Sequence, residues 1–250
     1  MMTRVKTAVE LAAQRESGAM NAAILQLVGS TLCAGMTTKE LADIAAAELK
    51  KLGGQPTFLG YGGFPDVICI SVNSESVHGI PGAYVLKDGD IVSYDFGVTY
   101  NGMITDAART KIVGDRGGTV VRKLVQGTQQ ALDAGIDVLR DGVRVGTIAA
   151  AVEDVMKKNG FGIVRDLVGH GVGHQLHEDP NIPNYTTGSK GPSLQEGMTI
   201  AIEPMSTLGS HAVYTAADGW TILSQDGSLA AHFEDTVLIT ENGAEILTRQ

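Results

Sequence analysis

Two stretches, LCAGMTTKELADIAAAELKKLG at residues 32–53 and LRDGVRVGTIAAAVEDVMKKNG at residues 139–160, decide the architecture, because they align without a gap at a constant offset of 107 residues. In that register Gly35 meets Gly142, Leu41 meets Ile148, Ala42 meets Ala149, Leu49 meets Met156, and Lys50-Lys51 meets Lys157-Lys158. Alanine-rich helices also resemble one another by chance, and that alternative stands at this point. A true repeat divides the chain into two similar α+β halves, with room for a site where they face each other.

Working outward, Thr37 with Glu40 three residues later makes a capping-box pattern ahead of an apolar-periodic run, and Gly53-Gly54 should stop that helix. Residues 6–33 read as an amphipathic helix before it. Strand signals follow each helix pair: Val67 to Val72, then Asp90 to Phe96 and Met103 to Ile112 flanking Tyr100-Asn101-Gly102, and later Met198 to Ile202 and Thr236 to Thr240. With no linker or low-complexity stretch between them, residues 1–250 are expected to form one domain of pseudo-twofold halves, an antiparallel-rich sheet covered by helices.

Composition narrows the function classes. A hydrophobic share of 43% over 250 residues is ample for a buried core. The net charge of −9 and the absence of a lysine/arginine run argue against nucleic acid or an anionic membrane as partner. Cys33 and Cys69 are too few for a disulfide framework and read as small buried hydrophobes in a reducing compartment. Arg4, Lys6, Glu10 and Arg15 interrupt the N-terminus too often for a signal peptide or membrane span, so a cytoplasmic protein is expected. Glycine, at 32 of 250 residues against a usual share of roughly 7%, gathers around the histidines and acids considered next.

Asn101-Gly102 is a strong two-residue hairpin signal, and such a turn pairs residues whose numbers sum to 203. Asp95 then stands opposite Ala108, with Asp106 diagonally placed on the same face and Cβ atoms about 7 Å apart or less. Two like charges so placed repel unless a cation lies between them, although a solvent-facing strand end and a turn cap would explain the pair equally well. From Val168 to Glu178, three histidines (His170, His174, His177) fall within eight residues among glycines, which favours extended backbone close to a ligand. Glu203 ends an apolar run before Pro204, and Glu234 opens the run Asp235 to Thr240. Singly, each glutamate reads as surface charge; together with two aspartates and a histidine they make a recognisable ligand set.

At this point the chain resembles the methionine aminopeptidases. The likeness is carried by Asp95-Phe96-Gly97 with Asp106 eleven residues on, Gly169-His170-Gly171-Val172-Gly173 with His177, Ile202-Glu203-Pro204-Met205, Phe233-Glu234-Asp235-Thr236, and the segment from Cys69-Ile70-Ser71-Val72-Asn73 to His78-Gly79-Ile80-Pro81. It runs from the first helix to Gly243-Ala244-Glu245-Ile246-Leu247. The short form, without a cysteine- and histidine-rich extension or a long insertion between His177 and Glu203, resembles the bacterial-style first type.

That resemblance implies the pita-bread fold and removal of the initiator methionine from nascent chains, with water activated by metal attacking the first peptide bond and a small second residue favoured. It implies Asp95, Asp106, His170, Glu203 and Glu234 as ligands of two divalent ions (cobalt, manganese, iron or zinc), Asp106 and Glu234 bridging. Glu203 would also relay a proton, and His78 and His177 would contact the substrate. Tyr61, Phe64, Cys69 and Trp220 would wall the methionine pocket; Leu176 beside them reads more simply as core. His174 matches no functional position. Partners would be nascent N-termini and the ribosome, and the chain a monomer.

Asp235 departs from the histidine that many of these enzymes carry there and matches proline-specific relatives, so a Xaa-Pro aminopeptidase or dipeptidase of the same fold stays open as a rival. Those enzymes usually carry a further N-terminal domain, for which 250 residues leave little room. A pita-bread protein that only binds partners is a third reading, against which all five ligand types are present.

Overall fold

The computed structural model describes residues 2–249, which carry four helices: α1 (Ala8–Thr31), α2 (Thr38–Leu52), α3 (Thr119–Asp137) and α4 (Val145–Asn159). α2 starts where the capping box requires. Thr37 Oγ1 accepts from the Glu40 N–H at 3.1 Å and Glu40 Oε2 accepts from the Thr37 N–H at 2.7 Å, satisfying two otherwise orphaned donors. It ends at Gly53, whose φ of 81° is the left-handed value that closes a helix. α4 begins and ends 107 residues later and closes on Gly160 at φ 76°, although Arg144 at its start gives no side-chain cap.

The aligned positions do the same work in both helices. Leu41, Ala45 and Leu49 are buried in a core with Ile24, Val28, Ile70 and Phe96, while Ile148, Val152 and Met156 are buried in a second core with Leu132, Ile200, Ile202 and Val237. Each half therefore encloses its own apolar layer, and the functional groups gather between the two.

Strands of the first half are β1 (Gln55–Pro56), β2 (Cys69–Val72), β3 (Glu75–Val77), β4 (Ile91–Tyr100) and β5 (Met103–Ile112). The second half supplies β6 (Gly162–Ile163), β7 (Gly169–Gly171), β8 (Glu178–Ile182), β9 (Thr199–Ile202), β10 (Met205–Thr207), β11 (Val213–Thr215), β12 (Ile222–Ser224), β13 (Ala230–His232), β14 (Asp235–Ile239) and β15 (Ala244–Ile246). The expected single sheet is divided into four pieces: β1-β4-β2 with β5 on β4, β15-β14-β9-β7-β8, β13-β10-β6 and β11-β12-β3. The β4–β5 hairpin has the anticipated register, Asp95 opposite Ala108 and Gly97 opposite Asp106, because Asn101 and Gly102 both take positive φ (47° and 77°) as a tight turn requires.

The halves are stitched along β5 and β14. Ala108 and Glu234 exchange both backbone hydrogen bonds at 3.2 and 3.0 Å. On one side the Thr236 hydroxyl accepts from the Asp106 N–H and donates to its carbonyl; on the other the Thr110 hydroxyl does the same for His232. These hydroxyls place residues separated by more than a hundred positions side by side.

α1 lies across the hairpin, but its buried face is only half apolar. Gln14, Ser17 and Asn21 continue the stripe of Ile24, Leu25 and Val28 and bond the strand carbonyls of Ile104, Val98 and Phe96. Buried polar groups are tolerated here because each meets a strand acceptor. Cys33 is exposed rather than buried, since it follows the end of α1; Cys69 is buried as expected. Among the described residues no helix is long and apolar enough to cross a membrane.

Asp235, the departure noted in the sequence, is fully buried and points away from Glu234. It accepts from Arg109 Nη2 at 2.7 Å, Arg249 Nε at 2.6 Å and the Thr248 hydroxyl at 2.8 Å. Asp235→Ala removes an acceptor shared by two guanidinium groups, although Arg109 keeps backbone carbonyls and Arg249 keeps Asp133, and should cost about 1.5–3 kcal/mol of stability. Urea denaturation checks this, and a loss below about 1 kcal/mol would mean the ion-pair cluster is not structural.

Candidate metal centre

Each acid arrives by its strand. Asp95 and Asp106 project from one face of the hairpin, Glu203 follows the last residue of β9, and Glu234 sits opposite Ala108 through the stitch just described. His170 comes from the middle of β7, beside β9, where flanking glycines let the backbones approach: a Cβ on Gly169 would lie 2.4 Å from the Ala201 carbonyl oxygen.

Asp95, Asp106, His170 and Glu234 are buried and Glu203 is half-buried. Donor atoms of Asp106, His170 and Glu234 fall within 4.8 Å of one another. His170 Nε2 is 3.4 Å from Glu203 Oε1 and 4.0 Å from Glu234 Oε1. The other ring nitrogen, Nδ1, lies 2.9 Å from the Gly171 carbonyl oxygen, which can only accept; Nδ1 therefore carries the proton and Nε2 turns its lone pair toward the acids.

The electrostatics are those of an uncompensated anionic cluster. Burial pushes Asp95 up to about 7. Burial first, then the neighbouring carboxylates, raises Asp106, Glu203 and Glu234 well above the ordinary carboxylate range. Burial also lowers His170 to about 3, so the imidazole is neutral and able to ligate. Among the described residues the only ion-pair neighbours of Glu203 and Glu234 are His170 and His232. Asp95 Oδ1, Asp106 Oδ1 and Glu234 Oε1 are buried without a hydrogen-bond partner. Orphaned oxygens beside an imidazole lone pair, with no cationic side chain among the described residues to answer them, are what hard or borderline divalent ions satisfy, so the residues fit a metal.

These five residues line a cleft of about 550 Å³, part of it open to solvent, together with Phe58, Tyr61, Phe64, Cys69, His78, Leu176, His177 and Trp220. Every residue singled out as a wall or contact in the sequence thus faces one space. Leu176 is both core and wall, packed with Phe58, Phe64 and Cys69. Tyr61 and His177 stand at the mouth, joined between the Tyr61 hydroxyl and His177 Nδ1 at 2.8 Å, and the His177 ring meets His170 edge-on at 4.4 Å. Phe64 and Trp220 meet edge-on at 5.2 Å.

His78 is held in the left-handed region at φ 59°, a conformation rare for a side-chain-bearing residue. The next residue explains how. Gly79 is pressed against β2, where a Cβ would lie 2.2 Å from the Ile70 carbonyl oxygen, and its carbonyl accepts from the Ile70 N–H at 2.8 Å. Burial, then the charge of His177, pushes His78 down to about 4. Partial desolvation lowers His177 as well. Outside the cleft, His174 Nε2 contacts Glu10 Oε1 at 2.7 Å, in keeping with its structural reading.

Two residues were missed by sequence reasoning. Phe58 had no periodic neighbour to mark it. His232 had a usable signal, since it lies two positions before Glu234, and extended backbone places alternate residues on one face.

Comparison with known proteins agrees with this chemistry. Residues 12–241 match Metallopeptidase family M24. The chain is 46% identical to methionine aminopeptidase 1 of Bacillus subtilis over 244 residues, 98% of each chain. Its fold superposes on the crystal structure of methionine aminopeptidase from Thermotoga maritima with a TM-score of 0.97, at 44% identity and 100% coverage of both chains. On prolidase from Pyrococcus furiosus the TM-score is 0.79 at 26% identity, with 98% of this chain but 65% of that one covered.

Proposed function

Since the chain belongs to metallopeptidase family M24, we propose that the cleft binds the N-terminal methionine of a nascent polypeptide and that the enzyme hydrolyses the bond after it. The observation that carries this reading is the adjoining of two surfaces in one cleft: an anionic cluster with orphaned oxygens, and a wall of Phe58, Tyr61, Phe64, Cys69, Leu176 and Trp220. An apolar, aromatic wall suits a long, unbranched thioether side chain.

Asp95, Asp106, His170, Glu203 and Glu234 would hold two divalent ions, of cobalt, manganese, iron or zinc. When bound, such ions supply Lewis acidity and lower the pKa of water from about 15.7 toward about 7. The remaining work falls to side chains. Glu203, whose carboxyl is pushed up by burial and by Asp95, takes a proton from the attacking water and returns it to the departing amine. His177, oriented by Tyr61, donates to the substrate carbonyl oxygen as charge develops on it. His78, uncharged at neutral pH, offers its N–H to the amide nitrogen of the breaking bond.

The proline-specific reading is weaker because Asp235, the residue that suggested it, is turned into the Arg109 and Arg249 guanidinium groups and does not line the cleft. Tripeptide hydrolysis decides between them. Protein reconstituted with manganese or cobalt should release methionine from Met-Ala-Ser and leave Ala-Pro-Ala intact, the converse would move the chain to the proline-specific enzymes, and no cleavage despite bound metal would favour a partner-binding protein. Trp220→Ala should broaden preference among first residues, raising norleucine or leucine relative to methionine severalfold in kcat/KM; an unchanged profile would reduce Trp220 to packing.

The proposal includes a cytoplasmic, monomeric enzyme organised as one catalytic domain across residues 1–250, meeting its substrates where chains emerge from the ribosome. The net charge of −9 fits transient contact with nascent chains better than tight binding to RNA.

A further inference from the structure

His232 is almost wholly buried, at 1% exposure, and neither of its ring nitrogens has a hydrogen-bond partner among the described residues. A buried imidazole with both nitrogens unanswered has given up water for nothing, unless a group is meant to lie against it. Its backbone is fixed by Thr110, whose hydroxyl accepts from the His232 N–H at 2.9 Å and donates to the His232 carbonyl at 2.6 Å, and by pairing of β13 with Met205 in β10.

The ring faces Glu203 and Glu234, both of which also face His170. Each glutamate turns one oxygen to each imidazole. Glu203 Oε1 lies 3.4 Å from His170 Nε2 and its Oε2 lies 3.8 Å from His232 Nε2; for Glu234 the corresponding distances are 4.0 and 3.9 Å. Donors about 2.0–2.2 Å from one tetrahedral ion stand roughly 3.3–3.6 Å apart. His232 Nε2 is therefore within a few tenths of an ångström of that spacing from an oxygen of each glutamate, and donor atoms of all three residues lie within 4.8 Å of one another.

We propose that His232 is a sixth protein donor of the metal centre, forming with Glu203 and Glu234 a position for a divalent ion beside the one framed by Asp106, His170 and Glu234. The two glutamates then stand between two imidazoles, and the centre carries nitrogen at both positions instead of one. Nitrogen ligation shifts preference toward zinc, cobalt or iron over manganese. This inference rests on the proposed five-residue centre.

X-ray absorption of protein loaded with two equivalents of cobalt counts the imidazoles directly and needs no variant. Two imidazoles for two ions are expected. One imidazole for two ions would overturn the role of His232 while leaving the five-donor centre standing, and failure to bind two ions would sink the centre itself. His232→Gln, checked for folding by circular dichroism, should lose one imidazole from the spectrum and weaken the second cobalt equivalent by about tenfold or more in calorimetry. Unchanged stepwise affinities would count against the proposal even if turnover fell.

Discussion

His78→Ala is expected to lower kcat on Met-Ala-Ser by about 10²–10⁴-fold, the usual contribution of a positioned proton donor, while metal content and stability stay close to those of the parent. The separation follows from where His78 sits. It lines the cleft but is absent from the clusters whose donor atoms converge, and it follows β3 rather than belonging to the stitch between the halves. Its strained φ of 59° is imposed by the packing of Gly79 on β2, which alanine at 78 would leave in place. Because the imidazole is held down to about 4, the plateau of kcat above pH 5 in the parent should not show a limb from His78. Metal analysis beside single-turnover kinetics checks the assignment. Equal losses of metal and turnover would place His78 in the centre instead of at the leaving group.

Stripping the metal with a chelator should abolish hydrolysis, by at least about 10³-fold for several kcal/mol of lost charge stabilisation, and should also reverse how stability depends on pH. In the stripped protein Asp95 is raised to about 7 and Asp106, Glu203 and Glu234 higher than ordinary carboxyls, whereas in the unfolded chain all four titrate near 4. The folded state then binds protons that the unfolded chain has released, and stability falls as pH rises. The histidines work the other way. His170 and His232 at about 3 and His78 at about 4 are depressed from a value near 6.5, so they remove stability as pH falls below about 6.5. The two groups oppose each other between about 4 and 6.5. Above that window only the carboxyls still titrate, so the urea midpoint of stripped protein should drop from pH 6.5 to pH 8.5. Manganese or cobalt should abolish or invert the drop, because metal takes the place of those protons. A midpoint in chelator that is flat or rising over that range would show that the four acids do not form one uncompensated cluster.

Much of this site was legible one residue at a time. Asn101-Gly102 demands positive φ at two successive positions, and that requirement alone set the β4–β5 register and put Asp95 diagonally from Asp106. Where a different force governed, the reading stopped short. Val67 and Ile68 carry strand composition, yet β2 begins only at Cys69, the first residue with a partner on β4. Residues 6–33 read as an amphipathic helix, but Gln14, Ser17 and Asn21 on α1 are drawn inside by carbonyls of β4 and β5, acceptors that no helical window contains.

The sequence by itself determined the features whose causes lie within a few residues: the Thr37 capping box, the glycine ends of α2 and α4, the Asn-Gly turn, and the five candidate donor residues that line the cleft. Only the tertiary structure decided that Glu234 stands against Ala108, that Asp235 turns into two guanidinium groups instead of the cleft, that Cys33 is exposed, and that His232 stands beside Glu203 and Glu234. The division has a physical reason. Turn, cap and pleat preferences act through backbone sterics and hydrogen bonds over one to four residues, whereas the union of β5 with β14 is selected by the burial of two apolar cores and by paired hydroxyls more than a hundred residues apart.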